Sequence, residues 1–224
     1  MTYGSRVIRH LPLIALALGA ACSEATPSLS AVPPQLEAPQ DAPLVAFVGD
    51  SITAGLHVDD HLSYSAVLQQ RLIARGTPFR RIQAGVSGDT SRGGVERIDW
   101  ILKQAPDIVV VELGGNDGLR GVPLDSTEQN LRSLLTKIIE AGSTPLLLGM
   151  RIPENYGDYA KEFDAIYPRL AEDLGVAFQP FFMEGVGGVP SMNVEDQLHP
   201  NPTGHARLAD NLERELERVL SADQ

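Results

Sequence analysis

The sequence predicts an α/β fold in which one parallel sheet of five strands lies between helical layers. Three observations carry that prediction. Five short apolar runs appear from Leu44 onward, helical patterns fall between them, and the links are short. Strand and helix alternate in this way when each crossover carries the chain back to the starting end of the sheet before the next strand begins.

The chain of 224 residues opens on a different composition. Arg6 and Arg9 precede an apolar run from Leu11 to Ala21. The run is shorter than the roughly 20 apolar residues of a membrane span, so residues 1–21 read as a secretory signal. Residues 22–42 are rich in Ala, Pro and Ser and lack apolar periodicity. Their prolines fix φ and turn the preceding residues away from the helical region, which makes a tether. Residues 43–221 are the expected folded domain.

Within that domain the candidate strands are Leu44–Val48, Arg81–Val86, Ile108–Leu113, Pro145–Met150 and Val176–Phe181. Their hydrophobicity is mostly continuous, which predicts strands covered on both faces. The clearest helix is Ser126–Ala141, where Leu131, Leu134, Leu135, Ile138 and Ile139 share one face. Ser126 and Gln129 suggest a capping box at its start, and Gly142 stands at its stop. Leu208, Leu212, Leu216, Val219 and Leu220 mark a closing helix.

Composition removes several classes of function. Acidic residues number 29 against 18 basic, a formal charge of −11 that moves to −13 once a signal carrying Arg6 and Arg9 is removed. No basic face is available to displace counterions from phosphates, so no nucleic-acid partner is expected. Cys22 is the one cysteine, which excludes an internal disulfide and a Cys-ligated zinc site. The sequence holds no G-x-S-x-G elbow, no G-x-x-x-x-G-K-[ST] loop and no G-x-G-x-x-G turn. The expected species is a monomer acting on a small substrate.

Ligands of open parallel sheets bind beyond the carboxyl ends of the strands. Gly49-Asp50-Ser51, Ser87-Gly88-Asp89-Thr90 and Gly114-Gly115-Asn116-Asp117 follow the first three runs, and a longer loop after the fifth holds Asp196-Gln197-Leu198-His199. Ser51, His199 and Asp196 are the types that nucleophilic acyl transfer requires: a hydroxyl, an imidazole to take its proton, and a carboxylate to orient the imidazole. The oxyanion of a tetrahedral intermediate needs donors, for which the Ser51 N–H, the Gly88 N–H and the Asn116 side-chain amide are candidates.

These blocks resemble the SGNH hydrolases, also called the GDSL esterase and lipase superfamily. The stretches Val86–Ser91, Val111–Gly121, Arg151–Gly157 and Pro180–Glu184 are similar to the bacterial periplasmic acyl-CoA thioesterase, lysophospholipase and arylesterase group. The resemblance spans about Pro43 to Leu220. It implies Ser51 as nucleophile, His199 as base, Asp196 as its partner, and Gly88 and Asn116 as oxyanion donors. It further implies a flavodoxin-like, doubly wound sheet in the order 2-1-3-4-5, no metal or organic cofactor, and a mobile substrate loop formed by Asp117, Gly118, Leu119, Arg120 and Gly121. The implied substrates are small acyl esters, lysophospholipids or acyl thioesters. Ile52 stands where the GDSL signature has leucine, and Gln83 where relatives carry asparagine, which leaves a local backbone hydrogen bond open.

Each residue also has a plainer role. Ser51 alone suits a helix N-cap, Asn116 a turn, Gly88 a permissive backbone position, and His199 a loop. His57 and His61 are spaced to share a helical face, but no helical pattern frames them and no third ligand is assignable, so residues 57–61 read as a solvated acidic loop. Two other functions compete: a carbohydrate deacetylase of the same superfamily, and a flavin-binding electron carrier using Ser51–Gly55 as a phosphate loop. Finally, Leu18-Gly19-Ala20-Ala21-Cys22 resembles the lipobox of bacterial lipoproteins, with Gly19 where leucine is more usual, which makes Cys22 a candidate for lipidation and membrane attachment; Gly19-Ala20-Ala21 equally suits an ordinary signal-peptidase site that would release a soluble chain beginning at Cys22.

Overall fold

The computed structural model describes residues 1–2 and 35–222. The signal segment and Cys22 lie outside the described residues, apart from Met1 and Thr2. Strands β1 (Leu44–Gly49), β2 (Arg80–Gly85), β3 (Ile108–Glu112), β4 (Thr144–Leu148) and β5 (Ala177–Gln179) form one sheet in the order β2-β1-β3-β4-β5, every pair parallel. Helices α1 (Ser51–Ala54), α2 (Tyr64–Ala74), α3 (Ser91–Leu102), α4 (Gly115–Leu119), α5 (Leu124–Glu140), α6 (Asp158–Leu174) and α7 (Pro202–Ala222) flank it. The α/β class and the strand order agree with the expectation.

Coverage on both faces holds for β1, β3 and β4 but not for β2 and β5. The first three are buried almost throughout, whereas the two edge strands are mostly half-buried. The sequence of β2, Arg-Arg-Ile-Gln-Ala-Gly, accounts for this, because charged and polar side chains keep a sheet edge from recruiting another strand. The start of α5 also differs from expectation. It begins at Leu124 after Pro123 with no side-chain cap, and the Ser126 N–H donates to the Pro123 carbonyl, so Ser126 sits inside the first turn. Proline fits this junction because a helix start has no use for its missing N–H.

Residues 35–42 pack against the domain. The Leu36 N–H donates to Gln70 Oε1 at 2.7 Å, Gln70 Nε2 donates to the Leu36 carbonyl at 3.0 Å, and Ala42 is buried.

Helices α2 and α7 meet around Tyr64, which lies edge-on to Phe182 at 4.9 Å and stacks on His205 at 6.3 Å. His205 is fully buried, and its Nδ1 accepts the Tyr64 N–H at 3.2 Å. Burial disfavours the imidazolium and lowers its pKa to about 4. The unfolded chain therefore protonates His205 first as the pH falls. Stability from the neutral imidazole is complete above about pH 6.5 and is lost as the pH drops towards 4. Relative to a His205→Gln variant, the wild type is expected to lose on the order of 3 kcal/mol of unfolding free energy across that window. Urea titrations at several pH values check this, and the paired comparison cancels other groups. Parallel curves would remove His205 as the cause.

Candidate active site

Each functional loop leaves the sheet at the carboxyl end of a strand. Gly49 of β1 is paired with Gly85 of β2 and with Glu112 of β3, so the chain leaves these three strands at one level. Asp50 caps α1, its Oδ1 accepting the Ile52 N–H at 3.0 Å. Ser51 therefore occupies the first helical position and its hydroxyl is not used as the cap.

Ser51 Oγ lies 2.9 Å from His199 Nε2, and His199 Nδ1 lies 2.6 Å from Asp196 Oδ2. The other carboxylate oxygen of Asp196 accepts the N–H groups of Leu198 and His199 at 2.8 and 2.9 Å. These bonds, the one to the His199 ring foremost, hold the Asp196 carboxyl well below the usual carboxylate range. An ionised Asp196 accepting at Nδ1 leaves the His199 Nε2 lone pair directed at the Ser51 hydroxyl. Gln197 makes the tight loop possible by adopting φ +60.

The Ser51 and Gly88 N–H groups have no hydrogen-bond partner among the described residues. Gly88 sits in the turn after β2 with φ +80, a conformation that side chains resist. Asn116 lies on α4, which the chain enters through Gly114 at φ +104. Asn116 Nδ2 donates to Asp50 Oδ2 at 3.0 Å and to the Asp89 carbonyl at 2.9 Å. Arg120 Nη2 bridges the Gly88 carbonyl at 3.1 Å and Asn116 Oδ1 at 3.3 Å, which ties the two loops together.

Beneath this rim lies a buried polar network. Glu112 is fully buried, and its Oε2 accepts from Thr53 Oγ1 at 2.7 Å and from the N–H groups of Asp50 and Thr53 at 3.3 Å. Burial first, and the neighbouring Asp50 second, push the Glu112 carboxyl well above the usual carboxylate range. Burial pushes Asp50 up to about 6, against the backbone bond that favours its charge. Arg97 holds the strand ends from outside, donating to the Ala84 and Gly49 carbonyls and to Asp89 Oδ2. Gln83 settles the bond that its substitution left open: its Nε2 donates to the Thr53 carbonyl at 2.6 Å and its Oε1 accepts the Gly85 N–H at 3.3 Å.

The five residues expected to form a substrate loop divide. Asp117, Gly118 and Leu119 belong to α4. Asp117 is buried and accepts from the Ser91 N–H and hydroxyl at 2.8 and 2.5 Å, anchoring α3. A Cβ at Gly118 would meet Ile152 at 2.6 Å and Phe163 at 2.9 Å, so close packing requires glycine there. Leu119, Arg120 and Gly121 are exposed.

His57 belongs to this region and was not apparent from the sequence. Its Nε2 lies 3.9 Å from Asp196 Oδ2, and its ring meets that of His199 edge-on at 5.6 Å. His57 and His61 share no helical face, in agreement with the loop expected there: His57 has φ +73 and a single 3₁₀ turn, Asp60–Leu62, follows. The positive φ could not be read from residue type.

The GDSL-like lipase/acylhydrolase family model matches residues 47–207. Esterase TesA of Pseudomonas aeruginosa is 43% identical over 175 residues, covering 77% of this chain and 87% of the relative. Thioesterase 1/protease 1/lysophospholipase L1 of Escherichia coli strain K12 is 39% identical over 184 residues, covering 81% and 87%. The crystal structure of TesA matches with a TM-score of 0.76 and 42% identity, covering 79% of this chain and 99% of that one. The flavin-carrier reading gives way to these matches. Its supposed phosphate loop is a four-residue helix whose N-terminus is capped by the Asp50 carboxylate, where a phosphate would have to sit. The chain belongs to the GDSL-like lipase/acylhydrolase family and is a carboxylic ester hydrolase of the SGNH type.

Proposed function

We propose that the chain is an exported serine esterase that cleaves acyl esters or thioesters, of the lysophospholipase, thioesterase or arylesterase type, through an acyl-enzyme. The observation that carries the reading is the continuous hydrogen-bond chain Ser51–His199–Asp196. Ser51 Oγ attacks the acyl carbon while its proton passes to His199 Nε2, and Asp196 stabilises the imidazolium. The N–H groups of Ser51 and Gly88 and the Asn116 amide receive the oxyanion. Collapse expels the alcohol or thiol, which takes the proton from His199. Water, activated by the same imidazole, then releases the acid. The steps need neither a metal nor an organic cofactor.

Exposed apolar residues flank these groups: Val86 before Gly88, Leu119 after Asn116, and Leu198 beside His199. Tyr156 joins them, its hydroxyl donating to the Leu119 carbonyl. An apolar border of this kind suits an acyl chain longer than acetyl. With p-nitrophenyl esters, kcat/KM is expected to rise from acetyl towards medium chains by up to about fourfold per methylene, the factor that corresponds to about 0.8 kcal/mol of burial. Lysophospholipid and acyl-CoA in the same assay separate the head groups. A preference for acetylated sugars over every longer ester would overturn the substrate class.

The export reading rests on the sequence of residues 1–21. In it Cys22 is lipidated and the following tether holds the domain off a membrane, while no helix among the described residues is long and apolar enough to cross one. Wild type is expected to carry acyl label and partition with membranes, and Cys22→Ser to lose both. An unlabelled wild type in the soluble fraction would overturn the anchor.

A further inference from the structure

We infer that His57, Asp196 and His199 form a zinc site through which Zn²⁺ shuts the esterase off, an inference that rests on His199 being the catalytic base. One ligand atom from each of the three residues lies within 4.8 Å of the others. Asp196 Oδ2 stands between the imidazoles, 2.6 Å from His199 Nδ1 and 3.9 Å from His57 Nε2. Two imidazoles and a carboxylate are a donor set suited to Zn²⁺. With metal–ligand bonds of about 2.0 to 2.2 Å, tetrahedral ligands lie about 3.3 Å apart. The His199–Asp196 pair must open by about 0.7 Å, His57 must close on Asp196 by about 0.6 Å, and the two imidazole nitrogens must approach each other by up to about 1.5 Å. All three are side-chain movements in an accessible group, since His57 and Asp196 are exposed. Water completes the shell.

His57 has no part in the acyl-transfer steps, yet its backbone is held at φ +73, where residues other than glycine are uncommon. That conformation brings an imidazole from the loop after α1 to the open side of Asp196. The carboxylate therefore has a histidine on either side, one in the catalytic chain and one outside it.

The chemistry of inhibition follows from the tautomer. At rest the His199 proton is on Nδ1, between the ring and Asp196, and Nε2 is the acceptor for the Ser51 hydroxyl. Zinc takes the Nδ1 lone pair. The Nδ1 proton is released to solvent and one is gained at Nε2, so the ring stays neutral and protons balance. Nε2 then donates to Ser51 Oγ and cannot accept from it, and the hydroxyl loses its base. The metal acts as a reversible plug, not as a participant in hydrolysis.

The test uses zinc chloride with the purified chain. Calorimetry is expected to give one Zn²⁺ per chain, with affinity weakened at least about tenfold in His57→Asn and unchanged in His61→Asn. Asparagine tolerates positive φ, so His57→Asn keeps the loop and is expected to retain its metal-free kcat/KM within about twofold. Zinc should inhibit ester hydrolysis and fluorophosphonate labelling of Ser51 in the wild type, with a chelator restoring both. In His57→Asn the inhibitory concentration should rise by the same factor as the dissociation constant. Equal zinc sensitivity in wild type and His57→Asn would overturn the site, as would equal weakening by His61→Asn. Binding that needs His57 but leaves hydrolysis intact would overturn the inhibitory role. Failure of the triad itself would show separately, as an active His199→Ala enzyme without zinc.

Discussion

Ser51→Ala is expected to lower kcat by about 10⁴-fold or more, His199→Ala by a similar factor, and the double variant by little more than either alone. A serine hydroxyl is nucleophilic only while a base takes its proton, and an imidazole with no hydroxyl to serve contributes nothing further. In the proposed mechanism the 2.9 Å contact between Ser51 Oγ and His199 Nε2 joins the two side chains into one unit. Losses that multiply would mean that they act independently, and that would remove the triad. The fold is not at risk in Ser51→Ala, because the cap of α1 is supplied by Asp50. An unchanged melting temperature beside the lost kcat is therefore part of the expected result. The residual rate should stand about 10³ to 10⁴ above the uncatalysed reaction, since oxyanion donors and substrate binding survive the substitution.

What could be read from the sequence was set by local pattern. Five apolar runs and the amphipathic stripes of α5 and α7 are periodic signals, and they placed the sheet and its carboxyl-end loops to within a residue or two for most strands. From those loops Ser51, Gly88, Asn116, Asp196 and His199 could be gathered as one set. The residues that escaped notice are held by partners distant in sequence. Glu112 ends an apolar strand and looks like an exposed terminus, yet it is fully buried because Thr53 and Asp50, about sixty positions earlier, surround it with donors. Arg97 resembles any charged helix residue until the β1 and β2 carbonyls meet its guanidinium. His57 needed a positive φ, which no apolar pattern encodes. The start of α5 failed for a different reason: Ser126 and Gln129 satisfy the capping pattern, but Pro123 fixes an earlier start.

The second large effect is expected at Asn116. Asn116→Ala should lower kcat by about 10² to 10³ with KM little changed, the loss typical of one oxyanion donor. The figure is smaller than for Ser51 because the two backbone donors, the Ser51 and Gly88 N–H groups, remain. Both amide hydrogens of Asn116 are engaged at rest, one with Asp50 Oδ2 and one with the Asp89 carbonyl. A ground-state carbonyl is a weak competitor for either hydrogen, whereas an oxyanion is a strong one. The exchange is therefore favourable only in the transition state, which is why kcat and not KM should report it. The same two bonds also tie the loops after β1, β2 and β3 together, so the variant will lose some stability. Separating the roles requires kcat and unfolding free energy to be measured on the same protein well below its melting temperature. A kcat deficit that persists in fully folded enzyme supports the donor role. Recovery of kcat to within about threefold of wild type once folding is complete would make Asn116 a structural tie and leave the oxyanion to the two backbone N–H groups.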